Sequence, residues 1–212
     1  MPHIIPPYFN ISGVISSSGI ALSWFKSRFL PQEDFETIYA RIASAEPGAE
    51  GLVFLPYLAG ERSPHWDPNA RAVFLGLGLN HDLSTMARAV LEGTAFAIRE
   101  VLDVMESRGA TVHDMRATGT PSLSPIWNQI KADITGKKIV VPASDTATTL
   151  GAALLAGVGT GFYQDYEEAV KETVSVTRTH EPDLRVKEIY DKTYETYLEL
   201  YRSLAGMMTK HE

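Results

Sequence analysis

A helix that is apolar nearly all the way round has to sit at the centre of whatever it belongs to. Ser84 to Arg108, ended by Gly109, is such a segment: Met86, Val90, Leu91, Ala95, Ala97, Ile98, Val101, Leu102 and Met105 cover almost its whole circumference. That pattern asks for burial on more than one side, so other elements must be layered around it. The chain has 212 residues, 44% of them hydrophobic and 21% charged. This is enough for one domain with a full core and no covalent staples. A single α/β domain over residues 1–212 is the simplest account.

The flanking pattern supplies the layers. Phe9 to Ile15 alternates apolar and small residues and is expected to be a strand. The hydroxyls of Ser16 to Ser18 precede a helix over Gly19–Phe29, which Pro31 stops. A second helix is expected from Asp34 to Ala45, closed by Pro47-Gly48. Leu52 to Leu55 is a short apolar run between Gly51 and Pro56, as a buried strand is. Tyr57 to about Asp82 reads as a long loop, and loops of that length inside a compact domain are usually functional or disordered; Trp66, Phe74 and several charges favour the former. Glu61, Arg62, Asp67 and Arg71 form a charged cluster in it, for which local ion pairing and a role in a site stand at even odds. Strands are expected at Met115–Thr118 and Lys138–Val141, and helices at Ser124–Thr135 and Thr146–Val158. The latter is so rich in Ala and Gly that close approach to its neighbours is expected. Pro182 to Met208 reads as a helix whose Tyr190, Tyr194, Tyr197 and Tyr201 recur at helical steps, a docking face on the domain body.

Several classes of function are argued against. There are no cysteines, and the six histidines show no pair at metal-ligand spacing, so zinc chemistry is not expected. A net charge of −7 argues against nucleic acid as a partner. No apolar run approaches the roughly 18 residues of a membrane span. The first residues carry two adjacent prolines and no basic region, so they are not read as a signal peptide, and a cytoplasmic protein is expected.

Three segments share one arrangement: a short strand, a turn rich in Gly, Ser or Thr, then a helix. They are Gly13 to Trp24, Ala117 to Gln129, and Ser144 to Ala156 with Asp145-Thr146-Ala147-Thr148 at its start. Such turns present backbone N–H groups and a helix N-terminus to an anion or polar ligand. None of the three identifies a ligand by itself. No phosphate-loop lysine motif, dinucleotide fingerprint or nucleophile elbow occurs; Gly157 to Gly161 follows a helix and reads as its exit.

Longer stretches resemble a known family. Pro56-Tyr57-Leu58-Ala59-Gly60-Glu61-Arg62-Ser63-Pro64 with Trp66-Asp67-Pro68-Asn69-Ala70-Arg71 is similar to a loop early in the second domain of FGGY carbohydrate kinases. Gly76-Leu77 with Arg88-Ala89-Val90-Leu91-Glu92-Gly93 resembles the family's C-terminal signature, and Ser124 to Gly136 its adenosine-motif helix. Gly151 to Ala156 resembles the helix that follows. The resemblance runs from about Ile11 to Tyr201 and keeps the family's order and spacing.

The resemblance implies an actin/hexokinase/Hsp70-type fold, in which two ribonuclease H-like domains close on MgATP and a sugar. This chain would be the second, nucleotide-binding domain. By position, Gly19 falls beside the ATP phosphates and Ser23 near the nucleotide. Gly119, Thr120 and Pro121 occupy the turn that packs on adenine, and Ser124 falls where an asparagine-type contact opens the next helix. Thr118-Gly119-Thr120 stands where members often read Gly-Gly-Gly or Asp-Gly-Gly; the Thr120 Cβ is expected to crowd the base or to require a negative φ. Ala72 and Thr85 also depart from the family pattern. The Asp-x-Gly-Thr phosphate hairpin and the aspartate base of the first domain do not occur in the sequence, and no catalytic or metal residue is assigned. The implied partners are ATP with Mg²⁺ and a sugar held by a separate N-terminal domain. The stretch Glu61 to His65 looks most like xylulose kinases, then gluconate kinases, and the chain by itself is expected to be inactive. The alternative is a non-catalytic nucleotide-binding or self-associating module, a homodimer.

Overall fold

The computed structural model describes residues 1–144 and 146–208. Its axis is the long helix α3 (Leu83–Ser107), 25 residues in length. Helices α1 (Gly19–Phe29), α2 (Phe35–Ser44), α4 (Pro125–Thr135) and α7 (Lys187–Met208), together with strand β1 (Val53–Leu55), all pack on it. Ala87, Val90, Leu91, Ala95 and Phe96 of α3 are buried, as its all-round apolar pattern requires. The helix begins where the Asp82 carboxylate accepts the N–H groups of Ser84 and Thr85 at 2.8 and 2.9 Å. Gly93 marks the crossing of α3 by β1: a Cβ there would stand 2.2 Å from the Phe54 carbonyl oxygen. Helix and strand can touch only because that side chain is absent.

Two charges lie inside this layer. Glu92 is 1% exposed, and its Oε1 accepts from Arg88 Nε at 2.7 Å, Tyr190 OH at 2.9 Å and the Gly48 N–H at 3.0 Å. Arg88 donates further to the carbonyls of Ile42 and Ala45. Burial draws the guanidinium down, but the Glu92 carboxylate and Tyr190 outweigh it and keep Arg88 charged. The network ties the end of α2 and the middle of α3 to α7. The tyrosines of α7 do the rest: Tyr190 and Tyr197 are fully buried and Tyr194 nearly so. Tyr197 and Tyr57 share a hydroxyl–hydroxyl bond of 2.7 Å, while Tyr194 donates to Asp103 and Tyr201 to Asp67. The docking face expected from the spacing is present.

Two small sheets complete the domain. β1 pairs antiparallel with β2 (Val73–Leu75), Val53 opposite Leu75. In the other, β4 (Lys138–Pro142) runs parallel to β3 (Asp114–Arg116) on one side and antiparallel to β5 (Val176–His180) on the other. α5 (Ala147–Gly159) and α6 (Tyr166–Thr173) lie between β4 and β5 in the chain.

Three expectations are corrected. Residues 9–15 form no ladder; Val14 is instead tied to Ser63, its N–H to the hydroxyl and its carbonyl to the Ser63 N–H. The segment's pairing among the described residues is an isolated antiparallel bridge between Pro2 and Phe9, too short to make a strand. The expected long loop contains β2, which pairs with β1 across the intervening chain, Leu55 opposite Val73 and Val53 opposite Leu75. Helix α5 has no buried residue, and of its glycines only Gly157 has a close neighbour, the Tyr163 ring. Among the described residues its small side chains meet α6 and the Tyr163 ring and are otherwise left uncovered.

Members of the charged cluster hold the loop in place, and Glu61 and Arg62 also line a cleft with Ser16 and Trp66. Glu61 is buried and its Oε1 accepts the N–H groups of Ser16 and Arg62, both at 2.7 Å. Asp67 receives Tyr201, and Arg71 donates to the carbonyls of Pro68 and Ala70. These residues pin the loop to the N-terminal segment and to α7.

Candidate functional site

The turn after β3 is built to hold its shape. Gly119 adopts φ 78°, a left-handed value that favours glycine. Its carbonyl accepts both the N–H and the hydroxyl of Ser122, at 2.9 and 2.7 Å, closing a single turn over Thr120–Leu123. Asn128 Nδ2 and Arg178 then donate to the Ser122 carbonyl at 2.7 and 3.3 Å. Ser124 caps α4, accepting the Trp127 N–H at 3.3 Å. Pro125 follows at the first helical position, where no backbone donor is needed. Thr120 keeps a negative φ, since the positive values belong to other residues. The backbone turns through the left-handed region at Gly119 instead, so the negative φ expected of Thr120 is met.

This turn faces the starts of α1 and α2 across an open cavity of about 660 Å³, within the range of small-molecule pockets. Gly19, Leu22 and Ser23 line it from α1, and Phe35, Glu36 and Tyr39 from α2. Thr120, Pro121, Leu123, Ser124, Pro125 and Trp127 make the opposite wall. The two sides come close: a Cβ on Gly19 would lie 3.3 Å from Pro121 Cγ. The Ser23 hydroxyl donates to the Gly19 carbonyl at 3.2 Å, so its oxygen remains free to accept.

Of the six residues singled out in the sequence, Gly19, Ser23, Thr120, Pro121 and Ser124 therefore share one cavity. Gly119 stands just outside the wall and shapes the turn. The third candidate turn, Ser144 to Ala156, contributes nothing to the cavity; Asp145 lies outside the described residues.

The α2 side of the cavity had no motif to announce it. Asp34 caps that helix by accepting the Thr37 N–H at 2.8 Å, which places Phe35, Glu36 and Tyr39 on its first turns. The Phe35 and Tyr39 rings lie 6.2 Å apart and 27° from parallel. Burial raises the Tyr39 hydroxyl above its ordinary range, against a hydrogen bond from Ser124 that acts to lower it. Behind the opposite wall, Lys131 is 7% exposed and sits 5.0 Å from the Trp127 ring centre. Glu36 is the one charged side chain on the wall. The cavity suits a mostly apolar, flat ligand with polar edges, and its backbone-rich Gly19 side suits anionic groups.

The chain is similar in sequence and in fold to known carbohydrate kinases. Residues 2–160 match the C-terminal domain of the FGGY family of carbohydrate kinases. A xylulose kinase from Staphylococcus epidermidis is 33% identical over 94% of this chain and 40% of its own length. A gluconokinase from Bacillus licheniformis is 33% identical over 96% of this chain and 42% of its own. Ligand-bound xylulose kinase from Lactobacillus acidophilus superposes with a TM-score of 0.87 at 30% identity, covering 93% of this chain and 40% of that one. The glycerol kinase of Plasmodium falciparum, solved with ADP, gives 0.79 at 27% identity over 90% of this chain. The chain thus spans about two-fifths of the length of these relatives, and its fold is that of the actin/hexokinase-like ATPases. From its motifs, its fold and this match over residues 2–160, the chain belongs to the FGGY family of carbohydrate kinases, and it corresponds to their C-terminal domain.

Proposed function

We propose that residues 1–212 form the nucleotide-binding domain of an ATP-dependent sugar kinase, one that transfers the γ-phosphate of ATP to a hydroxyl of a pentulose such as xylulose. The observation that carries this reading is the convergence of Gly19 and the Thr120–Ser124 turn on one cavity. Small side chains on both sides let backbone approach a purine, and the rigid turn would hold the base without reorganising. Ser124 and Ser23 offer hydroxyls to its edges, and the backbone at Gly19 faces the phosphates.

Phosphoryl transfer also needs a base, a metal and an acceptor held in line. Mg²⁺ is usually held by one or two carboxylates and phosphate oxygens. Glu36 is the only carboxylate on the cavity wall, and no group of three or more acidic or histidine side chains among the described residues could hold a metal. These residues do not make a magnesium site, so no metal-dependent step is assigned to them. The domain supplies one wall of the active site and is inactive until a sugar-binding domain supplies the other. A cytoplasmic setting fits this reading; no helix among the described residues is long and apolar enough to cross a membrane.

The test mixes this chain with the sugar-binding domain of a xylulose kinase and follows ADP release with MgATP and D-xylulose. Turnover in the mixture and none from either part is expected. An inactive mixture under saturating substrates, with both parts folded, counts against it. A second reading, a self-associating interaction module, is favoured by the exposure of Tyr8, Phe9, Ile11 and Phe162. A tight dimer by sedimentation together with no nucleotide binding would select it.

A further inference from the structure

We propose that Glu36 reads the base of the nucleotide, its carboxylate accepting a hydrogen bond from the 6-amino group of adenine; the inference rests on the nucleotide reading of the same cavity. Glu36 is spare where its neighbours are committed. Asp34 is bound to the Thr37 N–H, and Glu33 is paired with Arg41 through two bonds of 2.6 and 2.7 Å. Glu36 has no hydrogen bond or ion pair among the described residues, yet it faces a cavity with no other charge on its wall.

Its position says which part of a ligand it meets. A carboxylate repels phosphate, so the polyphosphate is directed to the Gly19 side, where backbone and a helix start favour anions. Tyr39 lies one turn beyond Glu36 on the same helix face and meets Ser124 at the far wall. The Phe35–Tyr39 ring pair and Pro121 offer apolar surfaces for a flat ring. A purine lying there presents its polar edge to Glu36, Tyr39 and Ser124. A carboxylate can only accept, so it rewards a donor at the 6-position and penalises the 6-oxo group of hypoxanthine.

The experiment is calorimetry of the whole chain with ATP and with ITP, for the natural protein and for Glu36→Gln and Glu36→Ala. The natural protein should favour ATP by about tenfold, the order expected of one hydrogen bond to a charged group. Glu36→Gln should bring the ratio near unity or invert it, because glutamine can also donate, and Glu36→Ala should abolish the preference. An unchanged ratio in both variants, with ATP still bound, overturns this inference and leaves the nucleotide reading standing. If the folded natural protein binds neither nucleotide, both fall. A shift in melting temperature with no change in the ratio would place Glu36 in the helix start only, which also overturns the inference.

Discussion

Replacing Lys131 by methionine should make this protein more stable at neutral pH, although it removes a charge from the family's motif helix. Lys131 is 7% exposed. Its ammonium has one weak partner, Asn128 Oδ1 at 3.4 Å, and the Trp127 ring 5.0 Å away. Burial lowers its pKa from about 10.5 to about 8. At about 1.36 kcal/mol per pH unit, holding that charge in place near pH 7 costs roughly 3 kcal/mol. The cation–π contact with Trp127 returns about 1 kcal/mol of this and is lost in the variant. Methionine fills the volume of the stem, so the net gain should be about 1–2 kcal/mol at pH 7. The sign with pH follows from proton counts: with the folded pKa below the unfolded one, the unfolded chain binds more protons between about pH 8 and 10.4. Stability due to this group therefore rises with pH across that window in the natural protein and is flat in the variant. Buried tyrosines act the other way, because burial raises the hydroxyls of Tyr57, Tyr190 and Tyr194. They act equally in both proteins, so the difference between them isolates Lys131. Urea unfolding at pH 7, 8.5 and 9.5 should show the Lys131→Met advantage shrinking steadily. A variant less stable at pH 7, or an advantage independent of pH, would refute the reasoning.

Other substitutions test the scaffold that holds the cavity. Gly93→Ala drives a methyl to 2.2 Å from the Phe54 carbonyl and should cost about 1–3 kcal/mol or more by thermal denaturation; a neutral effect would mean α3 and β1 separate freely. Glu92→Ala leaves Arg88 buried without its counter-charge and should cost about 3–5 kcal/mol, while a double change of Arg88 and Glu92 to apolar residues should cost less. Asp82→Ala removes the acceptor for Ser84 and Thr85 and should cost about 1 kcal/mol. The bonds from those N–H groups hold the Asp82 carboxyl below its ordinary range. Its contribution should accordingly be present above about pH 4 and fade as the pH falls through the lowered value, visible as a smaller variant effect in acid.

What the sequence disclosed and what it hid divide along a physical line. Features set by neighbours in the chain were legible. Asp34 caps α2 and Gly19–Phe29 ends before Pro31, but the expected capping by its serines is not made: Ser18 at the helix start forms no side-chain cap hydrogen bond. The all-round apolar face of α3 and the tyrosine steps of α7 forecast their burial. Features set by distant partners were not. Val73–Leu75 is an apolar run of only three residues before Gly76, and its place beside β1 is decided by a partner about 20 residues away in the chain. Residues 9–15 have the alternation of a strand but only an isolated bridge from Phe9 to Pro2, and α5 has the composition of a packed helix yet lies against α6 with no buried residue. Helix α6 left a local trace that went unread, Asp165 accepting the Glu168 N–H while Glu168 accepts the Gln164 N–H, a variant of the capping box. The cavity shows the same division. Its turn and its α1 side lie in stretches with a recognisable pattern, whereas Phe35, Glu36 and Tyr39 reach it only because α2 packs on α3 and α4.

The amide spectrum of this chain during titration with MgADP tests the whole account most directly. Binding should move the resonances of Gly19, Leu22, Glu36, Thr120 and Ser124 together, with one common dissociation constant, and leave α6 still. Movement of Gly19 without the 120–124 turn, changes clustered away from both, or none at millimolar nucleotide would contradict the claim that these two walls enclose a single purine site.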